Sequence, residues 1–154
     1  MEPEVELWLW YVGKALDDMC GIVSNLGDDL ANRRPDLPGA NSPYAILTHC
    51  CGVMNQWAGE VVADRTVQRD RAAEFVAHGS VADLLPLVAR TRSQLRRDVE
   101  AVRWNAEPLG PVDPQDRDTP LGRSQGGVLL HIYEELSQHL GQMEITRDVL
   151  LGSR

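Results

Sequence analysis

Four segments of this chain carry their apolar residues at intervals of three and four, the spacing of one face of an α-helix. They cover about residues 4–32, 42–63, 80–104 and 128–150, and no segment shows the alternation of a half-buried β-strand. Each amphipathic helix must bury its apolar face against a neighbour. We therefore predict an all-α fold, a four-helix bundle that forms a single domain over residues 1–154.

Capping residues mark the starts of two of these helices. Ser42 precedes Pro43, which places a hydroxyl at the N-cap and a proline at the first helical position. Ser80 together with Asp83 resembles a capping box. Pro86 lies in the second turn of the third helix, where we expect it to bend the helix or delay its start.

Two long connections join the predicted helices. Residues 64–79, if extended, reach roughly 50 Å, whereas the second helix is only about 33 Å long. This connection can therefore cross the whole bundle and leave helices two and three parallel. Residues 105–127 contain four prolines and no periodicity. We expect them to form a wall of a substrate pocket, because long irregular connections often carry binding loops.

The charge balance is acidic, since 23 Asp and Glu against 15 Lys and Arg give a net charge of −8. Such a surface argues against binding to nucleic acid or to anionic membranes, which requires a concentrated basic footprint. No run approaches the ~20 apolar residues of a membrane helix, and the acidic N-terminus differs from a secretory signal. The three cysteines, Cys20, Cys50 and Cys51, fit buried thiols in a reducing compartment. We therefore expect a cytoplasmic protein.

Three aromatic residues, Trp8, Trp10 and Tyr11, cluster near the start of the first helix. Together they cover more than one helical face, which is more apolar surface than one bundle face requires. They can all fill the core, or part of the cluster can pack against a second copy of the chain. The second interpretation predicts a homodimer.

Polar residues interrupt the apolar face of the fourth helix. His131, Glu135 and His139 are each four positions apart and therefore stack on adjacent turns. With Ile132 at the centre of the face, His139 lies roughly 20° away, Glu135 about 60° and His131 about 100°. His139 and Glu135 therefore belong to the buried face, and His131 lies at its margin.

A carboxylate and an imidazole on a buried face are costly unless something satisfies them. A divalent metal would do so, because Glu and His one turn apart can ligate the same ion. The alternatives are a hydrogen-bonded Glu–His pair and a helix rolled so that both side chains meet solvent. His49, on the flank of the second helix, is a third ligand only if the helices bring it there. The sequence leaves open whether helices two and four run parallel or antiparallel.

Three stretches resemble a known family: residues 6–19 (ELWLWYVGKALDDM), 42–61 (SPYAILTHCCGVMNQWAGEV) and 128–152 (VLLHIYEELSQHLGQMEITRDVLLG). The last is the most specific, because Gly141 and Gln142, and then Glu144 and Arg147, come just after its His-x-x-x-Glu-x-x-x-His ladder. Over nearly its whole length the chain resembles the DinB/YfiT-like superfamily of metal-binding four-helix bundles. It is most similar to the mycothiol-dependent branch related to the N-terminal part of maleylpyruvate isomerase.

The resemblance implies a down-up-up-down bundle with a long crossover between helices two and three. It also implies a divalent ion held by one histidine of helix two and two residues of helix four, which are His49, Glu135 and His139 here. His131 then lies beside the site rather than on the ion. Two histidines and a carboxylate with an open position are typical of a catalytic zinc site, and nickel or iron would accept the same ligands.

The chemistry implied by the resemblance is thiol transfer. Mycothiol, bound to the metal as a thiolate, attacks an electrophilic small molecule, because a metal ion lowers the pKa of a thiol that it coordinates. The maleylpyruvate isomerases carry a further C-terminal domain that contributes to the active site, and this chain ends at Arg154. We therefore expect an S-transferase rather than an isomerase. The alternative is a non-catalytic metal-binding or interaction bundle.

Overall fold

The structure, a computed structural model, describes residues 1–152 and is built from helices. In chain order these are α1 (Pro3–Ala31), α2 (Pro43–Met54), α3 (Arg71–Glu74), α4 (Val81–Asp98), α5 (Pro120–Arg123) and α6 (Gln125–Gly152). A π-helical segment, Asn55–Val62, continues α2, and Pro114–Asp116 forms a 3-10 turn. No strand occurs within residues 1–152. The all-α prediction is therefore confirmed, while the predicted domain limit at residue 154 lies outside the described residues.

Helix α1 runs parallel to α6. The indole Nε1 of Trp8 donates a hydrogen bond to the carbonyl oxygen of Leu129 at 2.6 Å. Further along both helices, the ring of Tyr11 contacts the ring of Tyr133, with centroids 5.8 Å apart. Residue numbers rise together in the two helices, so their chain directions agree.

Helix α4 runs antiparallel to α1. The guanidinium of Arg92 is 2.6 Å from the carboxylate of Asp17. Nearer the start of α4, the backbone N–H of Val81 donates to Asp28, later in α1, at 2.8 Å. Residue numbers rise in one helix as they fall in the other.

Helix α2 runs antiparallel to α6. The imidazole of His49 lies edge-on to that of His139 at 4.8 Å. Trp57 lies eight positions after His49, in the π-helical segment that continues α2. It contacts His131, which lies eight positions before His139 in α6. Since α6 is parallel to α1 and α4 is antiparallel to it, α2 and α4 share one direction. The predicted down-up-up-down order is therefore confirmed.

The crossover that joins α2 to α4 is held at both ends. Near its start, Arg65 donates two hydrogen bonds to Asp98, at 3.1 and 2.9 Å. Near its end, the side-chain amide of Asn32 donates to the carbonyl of Gly79 at 2.8 Å and accepts from its N–H at 3.0 Å. Helix α3 lies between these anchors. The sequence did not predict it, because one helical turn leaves no periodicity.

Two helix limits differ from prediction. Helix α4 ends at Asp98 rather than near residue 104. Val99 and Val102 beyond it are still buried, so the apolar spacing continues although the backbone has left the helix. Helix α6 begins at Gln125, ahead of the predicted residue 128. Its first turn contains Gly126, whose missing side chain admits the Trp104 ring: a Cβ there would be 2.5 Å from it.

The predicted N-caps are present. The hydroxyl of Ser42 accepts from the N–H of Ala45 at 3.2 Å, and that of Ser80 accepts from the N–H of Asp83 at 3.1 Å. Helix α4 starts directly after Ser80, so the proline in its second turn does not delay it. The two helices that the crossover joins, α2 and α4, therefore each begin with a serine N-cap.

The core lies between the four long helices and is filled by aliphatic side chains, with Trp8 among them. Trp10 and Tyr11 are exposed instead. The aromatic cluster is thus divided between the core and the surface, and the homodimer stays a prediction. Among the described residues, no helix combines the length and apolar character that crossing a bilayer requires.

Two leucines of α1 provide a matched test of this packing. Leu16 is 1% exposed and Leu7 is 60% exposed. We expect Leu16→Ala to lower the free energy of unfolding by about 2–5 kcal/mol, because it leaves a cavity in the core. Leu7→Ala should change it by less than about 0.5 kcal/mol. Urea unfolding followed by circular dichroism measures both, and equal effects would contradict the described core.

Candidate metal centre

The three predicted ligands converge between α2 and α6. The carboxylate Oε2 of Glu135 lies 3.8 Å from Nε2 of His49 and 3.7 Å from Nε2 of His139. One potential ligand atom from each of the three lies within 4.8 Å of the others. Ligands bound to one ion at roughly 2.1 Å with tetrahedral angles are about 3.4 Å apart. The described side chains therefore need only small adjustments to share a divalent ion.

Helix direction brings the third residue to the other two. Glu135 and His139 lie one turn apart on α6, as their spacing predicts. His49 lies in the second turn of α2, and the antiparallel packing of α2 on α6 places it opposite both. This contact answers the question that the sequence left open.

The distances disfavour the hydrogen-bonded alternative. Separations of 3.7 and 3.8 Å between Glu135 and the two imidazoles exceed the 2.7–3.2 Å range of an N–H···O hydrogen bond. Glu135 and His139 are 30% and 21% exposed at their side chains, whereas His49 is buried. The cluster is therefore closed on the α2 side and open to solvent on the α6 side.

A buried carboxylate from the crossover orients His49. Oε2 of Glu74, the last residue of α3, lies 2.8 Å from Nδ1 of His49. A carboxylate only accepts hydrogen bonds, so Nδ1 carries the hydrogen and Nε2 keeps its lone pair toward Glu135. Histidines that bind metals commonly make this second hydrogen bond, which fixes the ring and its tautomer.

Arg69 stabilises that carboxylate in its charged form. Its Nε donates to Oε1 of Glu74 at 2.7 Å and its Nη2 donates to Oε2 at 3.0 Å, a two-point contact. Burial alone raises the pKa of Glu74, but the hydrogen bonds from Arg69 and His49 outweigh it and hold that pKa below its ordinary value. Glu74 is thus an anion at neutral pH.

The sequence did not predict either Glu74 or Arg69 as part of the site. Both lie in residues 64–79, a stretch without helical periodicity that we interpreted only as a connection. The sequence offered one hint: Glu74 directly precedes Phe75, the aromatic residue of that stretch, which indicates that this part of the connection packs against the bundle. The ring of Phe75 stacks on His49 with centroids 4.6 Å apart, so this turn of the crossover packs on the histidine.

His139 is oriented from within its own helix. Its Nδ1 lies 2.9 Å from Oε1 of Gln142, so Nδ1 donates and Nε2 points its lone pair at Glu135. Gln142 is one of the residues that carry the family resemblance. Both histidines therefore present an unprotonated Nε2 to the same small volume.

The other metal-ligating residue types lie outside this cluster. His131 is edge-on to Trp57 at 4.7 Å, and its place beside the metal stays a prediction. Cys50 and Cys51 are free and buried. Burial raises the pKa of Cys50 well above its ordinary value and that of Cys51 to about 12. Both stay neutral thiols, and neither joins the cluster.

Comparison with known proteins gives one family and one fold. A family model described as mycothiol-S-transferase matches residues 9–152. The chain is also similar to a conserved protein of Enterococcus faecalis, whose crystal structure it matches with a TM-score of 0.73. The two are 13% identical, and the match covers 99% of each chain. This likeness shows the fold alone. No curated protein matches the chain.

The burial of His49 predicts a pH dependence of folding. Burial lowers its pKa below the ordinary value near 6.5, and the hydrogen bond to Glu74 offsets only part of this. In metal-free protein, the unfolded chain therefore takes up a proton near pH 6.5 that the folded chain does not. We expect stability to fall as the pH decreases from about 6.5 through the lowered pKa.

Urea unfolding at pH 7.5, 6.5 and 5.5 in the presence of a chelator measures this change. The decrease should be smaller in His49→Gln, which lacks the titrating ring. It should persist in His78→Gln, which replaces an exposed histidine. An identical pH dependence in His49→Gln and the unchanged protein would contradict the assignment.

Proposed function

This chain belongs to the mycothiol-S-transferase family, whose model matches residues 9–152, and from that premise we propose a metal-dependent thiol S-transferase. Its substrates are a low-molecular-weight thiol, mycothiol, and an electrophilic small molecule. Three residues, His49, Glu135 and His139, hold the divalent ion. The geometry that supports this proposal best is the convergence of their three ligand atoms within 4.8 Å.

The donor set suits an activating ion rather than a structural one. Two imidazole nitrogens and one carboxylate oxygen leave a coordination position free, whereas structural zinc sites use four protein ligands. We propose zinc, and nickel and iron accept the same donors. When bound, the ion lowers the pKa of a coordinated thiol, so that a thiolate forms near neutral pH.

The side chains around the ligands perform the remaining tasks. Glu74 and Gln142 orient the two imidazoles, so the ligands need little reordering when the ion binds. The buried ligand, His49, fixes the position of the ion, and the partly exposed ligands, Glu135 and His139, face the side from which the substrates enter. Trp57 and His131 border the cluster on the side toward the start of α6.

The irregular connection before α6 closes this end of the site. The backbone N–H of Gly110 donates to the carbonyl of Val61 at 3.0 Å, so the connection packs on the π-helical segment that carries Trp57. A Cβ at Gly110 would overlap the carbonyl oxygen of Glu60, which explains the glycine. π-helical turns are frequent at functional sites, and residues 105–123 form the proposed wall of the electrophile site.

Metal analysis of purified protein is the first test. We expect about one ion per chain after reconstitution with zinc, and its loss in His49→Ala and His139→Ala, because each removes one of three ligands. Gln138→Ala changes an exposed residue on the same helix and should retain the ion. No bound ion after reconstitution, in a folded protein, would exclude the proposed site.

Activity is measured with mycothiol and a panel of electrophiles by mass spectrometry of the conjugate. The zinc-loaded protein should form the conjugate, and His49→Ala should not. Stoichiometric metal binding without conjugate from any electrophile would instead favour a non-catalytic metal-binding bundle.

Glu74 provides a test of the hydrogen bond behind the ligand. We expect Glu74→Gln to weaken zinc binding about tenfold to a hundredfold, because an uncharged amide orients and polarises the imidazole less well. Glu100→Gln, an exposed substitution on another part of the surface, should leave the dissociation constant unchanged. Competition with a chromogenic chelator measures both, and equal affinities would contradict the role given to Glu74.

A further inference from the structure

A mostly apolar cavity lies between the connection before α6 and the first turns of α6. Its volume is about 470 Å³, within the range of small-molecule sites. Pro120, Leu121 and Leu130 supply its apolar walls, and His131 is its only ring nitrogen donor within the described lining. A Cβ at Gly127 would be 2.0 Å from the carbonyl oxygen of Pro120. The glycine therefore lets α5 approach α6 and form one wall of the cavity, which stays open to solvent at Leu130 and Glu134.

His131 connects this cavity to the metal centre. It lines the cavity and lies one helical turn, about 6 Å along the axis, before the ligand Glu135. Its ring is edge-on to that of Trp57, which lies about two turns after His49, in the π-helical segment that continues α2. The predicted ligands themselves do not line the cavity, so an electrophile bound there would extend past the His131 imidazole to reach them.

One nitrogen of that ring is available to a ligand. Nδ1 of His131 lies 3.4 Å from Oε2 of Glu134. This distance is longer than the 2.7–3.2 Å of an N–H···O hydrogen bond. Within the described residues no side chain is hydrogen-bonded to Nε2, which can therefore exchange a proton with a ligand in the cavity. Imidazole is the side chain best suited to such exchange at neutral pH.

We infer that this cavity binds the apolar part of the electrophile, and that the electrophile is an epoxide with an aryl or alkyl substituent whose oxygen is protonated by His131. The inference rests on the proposed function and specifies its second substrate and a catalytic residue. Walls of prolyl and leucyl side chains favour an apolar substituent. The thiol approaches from the solvent-exposed side of the cluster, at Glu135 and His139.

The reaction balances without another reactant. The thiolate sulfur forms a bond to an epoxide carbon, the carbon–oxygen bond breaks, and its electron pair remains on the oxygen. His131, protonated on both ring nitrogens, passes its Nε2 proton to that oxygen and gives an alcohol. The proton that the thiol releases on binding returns through solvent to Nε2, so the thiol loses one proton and the alcohol gains one. A halide electrophile, in contrast, releases a stable anion that needs no proton, so His131 would not assist it.

Three electrophiles separate the role of His131 from that of the cavity. Styrene oxide combines an aromatic ring with an epoxide, benzyl chloride keeps the ring without the oxygen, and propylene oxide keeps the epoxide without the ring. We expect His131→Gln to lower kcat about a hundredfold for both epoxides, and to change kcat for benzyl chloride less than twofold. Its zinc content should equal that of the unchanged protein.

The cavity wall should act on KM instead. We expect Leu121→Asn to raise KM about tenfold for styrene oxide and benzyl chloride, while KM for propylene oxide and for the thiol stays unchanged. Leu37→Asn, which replaces an exposed leucine elsewhere, is the matched control and should alter none of these constants.

Two results would overturn the inference. If His131→Gln lowers kcat equally for benzyl chloride and styrene oxide, the residue does not protonate the substrate oxygen. If Leu121→Asn leaves both aromatic substrates unaffected, they do not bind in the cavity.

Failure of the proposed function is distinguishable from both. If the unchanged protein conjugates none of the three electrophiles, the cavity is tested alone by titrating metal-free protein with benzyl alcohol and following NMR shifts. Binding about tenfold weaker in Leu121→Asn than in Leu37→Asn would retain the cavity as an apolar site. Equal binding, or none, would exclude it.

Discussion

The hydrogen bond between Glu74 and His49 joins the crossover to the bundle and fixes the tautomer and the orientation of the His49 ring. It places a charged carboxylate in the interior, which is costly unless that charge is fully paired. Arg69 provides the pairing through two donors. The hydrogen bond keeps the hydrogen of the imidazole on Nδ1, so Nε2 directs its lone pair toward Glu135 and His139. Without this bond, the buried His49 ring would still be stacked on Phe75, but nothing would fix its tautomer.

The two sides of the candidate metal centre differ in their contacts and in exposure. On the α2 side, His49 is buried, stacked on Phe75 and hydrogen-bonded to Glu74. On the α6 side, Glu135 and His139 are partly exposed, and only the histidine has a close side-chain partner, Gln142. The buried His49 side can define where an ion lies, while the exposed side with Glu135 and His139 can admit a thiol and an electrophile. This division suits the proposed thiol transfer, in which the thiol would take the open coordination position and the electrophile would approach it from the exposed side.

Much of the fold is readable from residue patterns. Helical spacing identifies all four long helices, and the length of residues 64–79 is sufficient for a crossover that leaves α2 and α4 parallel. The errors occur where local signals and tertiary contacts disagree. Burial of Val99 and Val102 extends the apolar pattern beyond the end of α4, and glycines at the start of α6 resemble loop until Trp104 is seen to pack on one of them. Helix α3 has no periodic signal, because it is a single turn; its local signal is Asp70, whose carboxylate accepts from the N–H of Ala73 at 3.0 Å.

For the candidate site, the spacing of Glu135 and His139 already places both on one face of the helix, because the geometry of an α-helix depends only on the local chain; that they are partly exposed there was not predicted. The resemblance to a family suggested His49 as the third ligand, but periodicity could not, since a histidine on the flank of a helix is unremarkable. Only the tertiary structure brings His49 opposite α6, by packing α2 antiparallel to it. Only the tertiary structure places Glu74 and Arg69 behind that histidine. Contacts between distant segments depend on how helices and connections fill the interior, and no local pattern encodes them.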